Sequence, residues 1–316
     1  MRLIPTLIII LVSNFVVAQE IIHSAIVPWQ PNRLTVSGSS LYFVSSDDNV
    51  SNGLWQTDGS ESGTFKVESN FGISEVRSLI DFNDNLFFVG YADGYGLELW
   101  KKSDSSQSPT LIKELNPGPN GIISNNENHF ISSISRGVIF TSTFNGPQVW
   151  ITDGTENGTV LVLDNCEAAY FYEWKDELYF YQTNSNPGLY KTDGTPGNKI
   201  LIKADVSPLI IDNFYQAISA TDSNLFFIYE YYDGGSSLNM ELWKSDGSST
   251  GTQKVINLEE RQFGRTQRRF WTNDTHLFFV GYQESTGEEP WISDGTTAGT
   301  KILKDISSGN RSSSPR

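Results

Sequence analysis

The sequence QVWITDGTENGTVLVL, residues 148–163, contains the pattern that decides the fold. An apolar run containing Trp150 leads into the turn sequence TDGTENGT, and a second apolar run follows it. Aspartate and glycine favour tight turns, because the carboxylate accepts backbone hydrogen bonds and glycine adopts positive φ. The stretch therefore predicts two antiparallel strands joined by a hairpin.

The same pattern occurs six times along the chain. Its copies are GLWQTDGSESGTFKV, ELWKKSDSSQSPTLIKEL, QVWITDGTENGTVLVL, GLYKTDGTPGNKILIKA, ELWKSDGSSTGTQKVINL and PWISDGTTAGTKILKDI. Their aromatic anchors, at spacings of 45, 50, 40, 53 and 48 residues, are Trp55, Trp100, Trp150, Tyr190, Trp243 and Trp291. A run such as LYFVS (41–45) or LFFVGY (86–91) precedes each copy, and a weaker strand-like run precedes that one.

Each repeat therefore predicts four short strands, and no window shows convincing helical periodicity. Four antiparallel strands repeated six times predict an all-β protein, a six-bladed β-propeller of four-stranded antiparallel blades. Two alternatives are a larger propeller of which these repeats form a part, and a β-solenoid, although solenoids normally use shorter repeats. We expect the propeller to occupy residues 19–306, followed at 307–316 by a polar tail that resembles a truncated inter-blade linker.

Residues 1–18 predict a signal peptide. Arg2 supplies a positive charge, an apolar run follows, and Val16 and Ala18 precede a cleavage site at Gln19. The run is too short for a stable transmembrane span, and no later stretch reaches 18 consecutive apolar residues. We therefore expect a protein that is secreted or displayed on a bacterial cell surface, with no membrane span in the mature chain.

The composition excludes several classes of protein. The chain has 37 acidic and 22 basic residues, a net charge of −15, and so lacks the basic face that nucleic-acid binding requires. It is 38% hydrophobic and 13% aromatic, which is too apolar for a disordered acidic chain. Its single cysteine, Cys166, cannot form an intrachain disulfide, and an exported chain without disulfides favours a bacterial source.

The segments ELWKSDGSSTGT (241–252) and PWISDGTTAGTKILKDI (290–306) resemble the repeats of the ELWxxDGT family. The resemblance covers essentially the whole mature chain. It implies an exported, Bacteroidetes-type, propeller-like protein, often routed by type IX secretion, with no established enzymatic activity. Two repeats depart from the pattern: Ser105 replaces the turn glycine in the second, and the fourth has a turn shortened around Pro196 and Gly197. We expect these two blades to be less regular.

The repeated turn aspartates are candidates for either structure or metal binding. They are Asp58, Asp153, Asp193, Asp246 and Asp294. Calcium prefers clustered carboxylate and carbonyl oxygens, whereas each turn here supplies a single aspartate. The pattern therefore favours a structural role in closing the turn, and we predict no metal site and no cofactor. The six repeat aromatic residues listed above are predicted to pack in the core.

Arg33, Arg77 and Arg269 each precede the aromatic strand of their repeat by eight or nine residues. They belong to repeats one, two and six, which become neighbours if the ring closes. Three converging guanidinium groups could hold a carboxylate ligand, although scattered surface arginines are the simpler alternative. Aromatic residues outside the repeat frame that could stack on a sugar are Trp29, Tyr95, Trp174, Tyr231 and Tyr232.

The sequence favours binding over catalysis. His23, His129 and His276 are not clustered, and neither a G-x-S-x-G nor an H-E-x-x-H motif is present. We predict no catalytic residue and expect a non-catalytic binding or adhesion module for an extracellular glycan or surface protein. One alternative is a propeller hydrolase or lyase acting on extracellular glycans, which a cavity holding two carboxylates would favour. Another is an architectural segment of a surface array.

Overall fold

A computed structural model describes residues 32–46, 52–104, 106, 108–122, 131–206, 218–232, 238–259, 270–313 and 315. The predicted signal peptide and the residues Trp29, Ser105 and Arg269 lie outside these ranges. Within them the chain forms 24 β-strands and no helix. In particular, the described ranges contain no helix with the length and apolarity needed to cross a bilayer.

The strands form six four-stranded antiparallel sheets, each with its strands in chain order. The prediction of an all-β protein with six four-stranded propeller blades is thereby confirmed. The second and fourth sheets have the same strand order as the others, so the sequence departures in those repeats leave the blade topology unchanged.

The first three sheets correspond to the first three repeats. The first contains β1 (Asn32–Ser37), β2 (Ser40–Ser45), β3 (Gly53–Thr57) and β4 (Phe65–Lys66). The second contains β5 (Ser74–Phe82), β6 (Asn85–Ala92), β7 (Gly96–Ser103) and β8 (Thr110–Leu111). The third contains β9 (Ile131–Ile134), β10 (Gly137–Ser142), β11 (Gln148–Thr152) and β12 (Val160–Leu163).

The last three sheets repeat this order. The fourth contains β13 (Ala168–Trp174), β14 (Glu177–Gln182), β15 (Gly188–Thr192) and β16 (Ile200–Ala204). The fifth contains β17 (Ile218–Ala220), β18 (Leu225–Tyr232), β19 (Leu238–Ser245) and β20 (Gln253–Leu258). The sixth contains β21 (Phe270–Thr272), β22 (Leu277–Gln283), β23 (Gly287–Ser293) and β24 (Lys301–Ile302).

The chain divides into two compact units at the third sheet. Of the described residues, those up to 146 and those at 150–160 form the first unit, and those at 147–149 and from 161 onward form the second. Among the described residues, two buried apolar clusters lie in each unit, and each cluster packs one sheet against the next sheet along the chain.

Paired aromatic residues on the second strands join these clusters. Successive side chains of a strand point to opposite faces, so the two members of a pair contact different neighbours. In β6, Phe88 packs towards the first sheet and Phe87 towards the third. In β18, Phe227 packs towards the fourth sheet and Phe226 towards the sixth. A strand buried on both faces explains why these runs are continuously apolar rather than alternating.

Candidate ligand-binding site

The turn between the third and fourth strands closes on itself through side-chain hydrogen bonds. In the third sheet, Asp153 Oδ1 accepts hydrogen bonds from the Thr155 backbone N at 2.8 Å and from the Thr155 hydroxyl at 2.7 Å. Thr155 Oγ1 accepts one from Gly158 N at 3.0 Å, and the hydroxyls of Thr152 and Thr159 lie 2.7 Å apart. Asp, Gly and Thr at these spacings therefore form one hydrogen-bonded unit.

The second glycine of the turn is required by close packing. A Cβ atom on Gly158 would collide with the carboxylate of Asp153. The same contact joins Gly63 to Asp58, Gly251 to Asp246 and Gly299 to Asp294. Any larger residue at this position would displace the carboxylate from the turn N–H groups that donate hydrogen bonds to it.

Hydrogen bonds from the residue two positions further on hold the pKa of each turn aspartate below its usual value. The five carboxyl groups are those of Asp58, Asp153, Asp193, Asp246 and Asp294. All five carboxylates lie at or near the surface and accept bonds from their own turn. Among the residues that the structure describes, no three His, Cys, Asp or Glu side chains are grouped as a metal site would require.

The second repeat uses its aspartate differently. Asp104 Oδ2 accepts hydrogen bonds from the backbone N of Ser39 at 2.8 Å and from the Ser39 hydroxyl at 3.1 Å. It thereby ties the second sheet to the β1–β2 turn of the first. In the fourth repeat, Asp193 Oδ1 still accepts a bond from Thr195 N at 2.8 Å, but the shortened turn has no closing threonine.

The repeat aromatic residues lie on the third strand of each sheet. Trp100, Tyr190 and Trp291 are buried, whereas Trp55, Trp150 and Trp243 are half-buried. In the sheets that have a preceding neighbour within their unit, the indole packs towards that neighbour.

The structure describes two of the three predicted arginines. Arg33 is exposed on β1, and Arg77 on β5 forms an ion pair with Glu75 at 3.1 Å. Arg269 lies outside the described residues. Convergence of the three arginines therefore stays a prediction.

Three turns of the second unit surround a cavity of about 540 Å³. Each turn joins the first strand of a sheet to its second strand, at residues 174–177, 221–224 and 273–276. The side chains at the cavity wall include Trp174, Lys175, Thr221, Asp222, Asn273 and Asp274.

Backbone and indole hydrogen bonds fix these turns against each other. Trp174 Nε1 donates to the carbonyl oxygen of Thr221 at 2.9 Å, and Asp222 N donates to the carbonyl oxygen of Asp274 at 3.0 Å. The Lys175 ammonium lies 4.1 Å from the centre of the Trp174 ring, within the range of a cation–π contact. The three turns are therefore joined to one another by hydrogen bonds of the protein itself.

The cavity wall combines complementary groups. The carboxylates of Asp222 and Asp274 are exposed and accept hydrogen bonds, the Lys175 ammonium donates them, and Trp174 supplies an apolar ring. A polyhydroxylated ligand can use all three kinds of group, because its hydroxyls both donate and accept. Two carboxylates against one ammonium favour a neutral or cationic ligand over an anionic one.

Sequence reasoning identified Trp174 as a candidate but missed Lys175, Asp222 and Asp274. A signal was present, because the turn before the aromatic strand contains an aspartate in four of the six repeats. These residues are Asp84, Asp176, Asp222 and Asp274. The sequence does not show which of these turns meet around a cavity.

Comparison with known proteins finds a similar fold but no family. No protein-family model and no curated protein matches the chain. An uncharacterized protein of Listeria monocytogenes EGD-e, lmo1340, is similar in structure, with a TM-score of 0.51, 10% sequence identity, and coverage of 92% of this chain and 88% of that one. At such low identity the likeness concerns the fold alone.

Two further solved structures are similar at lower scores. The computationally designed Ika8 protein has a TM-score of 0.48 at 10% identity, covering 90% of this chain and 76% of that one. A puromycin hydrolase has a TM-score of 0.47 at 12% identity, covering 90% of this chain and 46% of that one.

Proposed function

We propose that this protein is a secreted or cell-surface propeller that binds an extracellular glycan without catalysis, in the cavity formed by the turns of the fourth, fifth and sixth sheets. The observation that carries the proposal is one cavity of about 540 Å³ that combines an indole, two carboxylates and an ammonium group. Its size falls within the range of roughly 300–1,000 Å³ that is usual for small-molecule sites.

The proposed location rests on residues 1–18 and on the resemblance to exported ELWxxDGT-repeat proteins. Its test is the N-terminal sequence of the protein recovered from the culture medium or cell surface. We expect that sequence to begin at Gln19. A cytoplasmic protein that retains residues 1–18 would contradict export.

Hydrolysis or lyase chemistry on extracellular glycans is the second candidate, because Asp222 and Asp274 both line the cavity. Glycosidases use a pair of carboxyl groups, one of which is a general acid in a desolvated environment. Both carboxylates here are exposed, so neither has that environment. The binding function is therefore preferred.

A glycan array with the mature chain, run with and without calcium, tests the proposed function. The variants Asp222→Asn and Asp274→Asn remove the two charges and keep the side-chain shape. Asp84→Asn, in the corresponding turn of the second sheet, is the matched control. We expect both cavity variants to lose binding by about tenfold or more, while the control binds as the wild type does.

A bound glycan should be recovered intact after prolonged incubation with the wild-type protein. Cleavage products that disappear with Asp222→Asn and Asp274→Asn would establish the enzyme instead. Binding that all three variants retain would show that the ligand occupies another surface.

A further inference from the structure

In two places the protein itself fills the space in front of a repeat tryptophan. Trp100 is fully buried, because the rings of Phe71 and Tyr95 lie 5.1 and 6.3 Å from its own ring. Trp243 instead has the Lys203 ammonium 5.0 Å from its ring centre. Phe71 follows the last strand of the preceding sheet and Lys203 lies on that strand, so the preceding sheet helps to fill the space in both cases.

Beside Trp291 the corresponding space is a cavity of about 510 Å³. Alignment of LFFIYEY (225–231) with LFFVGYQ (277–283) places Gly281 at the position of Tyr229. Tyr229 adds a ring to the filled space in the fifth sheet, whereas in the sixth the Trp291 indole itself packs against Gly281, where a Cβ atom would lie 2.6 Å from indole Cδ1.

The lysine is replaced as well. Ile256 follows the buried Val255 on β20, as Lys203 follows the buried Ile202 on β16, so Ile256 stands where the filling lysine does. Ile256 is shorter and uncharged, and it forms one wall of the cavity. The open space therefore lies where the fifth sheet of the chain carries Ile256 in place of the filling lysine.

The tryptophan of this cavity also has an unused donor. Among the described residues, Trp291 Nε1 has no hydrogen-bond acceptor, whereas Trp243 Nε1 donates to Glu241 Oε2 at 2.8 Å. Glu289 is the counterpart of Glu241, but its carboxylate accepts hydrogen bonds from the backbone N and the hydroxyl of Ser313. Trp291 Nε1 therefore lacks the hydrogen bond that the corresponding atom of Trp243 makes.

The polar side chains of the wall are three neutral ones and one cationic one. Asn257, Gln283, Thr300 and Lys301 line the cavity, and no acidic residue of the described chain does so. The Glu259 carboxylate accepts a hydrogen bond from the backbone N of Glu284 at 2.8 Å, and neither of these two glutamates lines the cavity. On a chain with a net charge of −15, a wall whose charge is positive is a local exception.

We propose that this cavity binds a carboxylate-bearing sugar unit, such as a uronic acid. Its ring packs on Trp291, its carboxylate pairs with the Lys301 ammonium, and the side-chain amides of Asn257 and Gln283 bond its hydroxyls. The site is independent of the function proposed above, because its walls and its preferred charge are different.

Calorimetric titration with trigalacturonic acid, compared with a neutral galactose trimer, tests this proposal. Lys301→Gln should weaken trigalacturonate binding by about tenfold, whereas Lys304→Gln, on the same exposed segment but outside the cavity, should change it by less than about twofold. Rising salt should weaken binding to the wild type, since charges attract less strongly when screened. Circular dichroism and thermal unfolding establish that each variant is folded.

Ile256→Lys separates binding in the cavity from general attraction to positive charge. It places a lysine where Lys203 fills the equivalent space, so it should abolish trigalacturonate binding even though it adds a positive charge. Stronger binding to Ile256→Lys would overturn the proposal, as would equal affinity for the acidic and neutral trimers or no binding of trigalacturonate to the wild type. Loss of neutral-glycan binding in Asp222→Asn and Asp274→Asn concerns the first cavity and leaves this result unaffected.

Discussion

Asp153 and Asp294 each supply the acceptor that organises a turn. Asp153 Oδ1 accepts a backbone and a hydroxyl bond from Thr155, and Asp294 Oδ1 accepts the same pair from Thr296. Each carboxylate also packs against the second glycine of its turn, Gly158 or Gly299.

We expect Asp153→Ala and Asp294→Ala to lower the free energy of unfolding by about 1 kcal/mol each, through loss of a turn acceptor. Urea denaturation measures this. Glu156→Ala, in the same turn as Asp153 but with an exposed side chain, is the control and should be close to neutral. Tight calcium binding in calorimetry that either aspartate variant abolishes would contradict the structural role.

The same aspartates predict how stability responds to acid. Their pKa values are lowered in the folded protein by hydrogen bonds from the turn, so the ionised carboxylates favour folding. That contribution is present above the unfolded pKa of about 3.9 and is lost as the pH falls through the lower folded value. Urea midpoints between neutral and acidic pH should therefore fall more steeply for the wild type than for the Asp153→Ala/Asp294→Ala double variant. Parallel curves would show that the turns do not contribute.

At the scale of the strand, one repeat position has two opposite environments. Glu98 and Glu289 each stand two residues before the repeat tryptophan, and both are fully buried. The Glu289 carboxylate accepts bonds from the backbone N atoms of Ile306, Ser307 and Ser313 and, at 2.6 Å, from the Ser313 hydroxyl. Desolvation pushes the pKa of Glu289 upward, but these hydrogen bonds outweigh it and lower the pKa.

Glu98 has no comparable set of donors. Neither of its carboxylate oxygens has a hydrogen-bond partner among the described residues. Burial, with a smaller contribution from the charge of Glu114, raises its pKa to about 9. The carboxyl group is therefore protonated at neutral pH in the folded protein, whereas it ionises above about pH 4.3 in the unfolded chain. It destabilises the fold progressively as the pH rises from that value towards 9.

We predict opposite effects of the same substitution at these two positions. Glu98→Gln should raise the free energy of unfolding at pH 8 by about 1–3 kcal/mol, since the neutral amide has no ionisation penalty. Glu289→Gln should lower it by about 2 kcal/mol, because an amide nitrogen replaces an oxygen that faces donors. Urea titrations at pH 5 and pH 8 measure both, and the gain from Glu98→Gln should shrink at pH 5. A Glu98→Gln variant less stable than the wild type at pH 8 would show that this carboxylate is held by partners.

At the scale of the whole molecule, the fold was predictable because the same strand–turn–strand motif occurs six times in the sequence. The turn TDGTENGT and its relatives specify a hairpin locally, and runs such as LFFVGY require burial on both faces, which stacked blades provide. Neither inference depends on which repeats become neighbours.

The cavities were not predictable for the opposite reason. Asp222 and Asp274 are ordinary turn residues in sequence, and they line one cavity only because the fifth and sixth sheets place their turns side by side. Likewise, Ile256 fits the strand pattern, and the space beside it becomes apparent only by comparison with the space that Lys203 fills around Trp243. Such sites depend on differences between repeats, whereas the fold depends on what the repeats share.

Cys166 makes the opening of the molecule measurable at a single atom. It is the only cysteine of the chain, it is fully buried, and its thiol donates to Gln182 Oε1 at 3.4 Å. Burial, partly offset by the charge of Lys199, raises its pKa to about 11. Since the thiolate is the reactive form, the folded protein presents a thiol that is both inaccessible and protonated at pH 8.

We therefore expect the native protein to react with an aromatic disulfide reagent at pH 8 only through the small fraction of molecules that is open at any time, when reclosing is faster than labelling. The unfolded protein, whose thiol has a pKa near 8.5, should release one equivalent of chromophore at once. The native labelling rate divided by the unfolded rate gives the equilibrium constant of the opening that exposes Cys166. The free energy of that opening should fall with added urea. The unfolded Glu98→Gln variant should be labelled at the same rate as the unfolded wild type, because residue 98 is far from Cys166 in sequence. This comparison controls for the chemistry of labelling. Native labelling as fast as that of the unfolded chain would contradict the burial of this thiol and the packing of the strands around it.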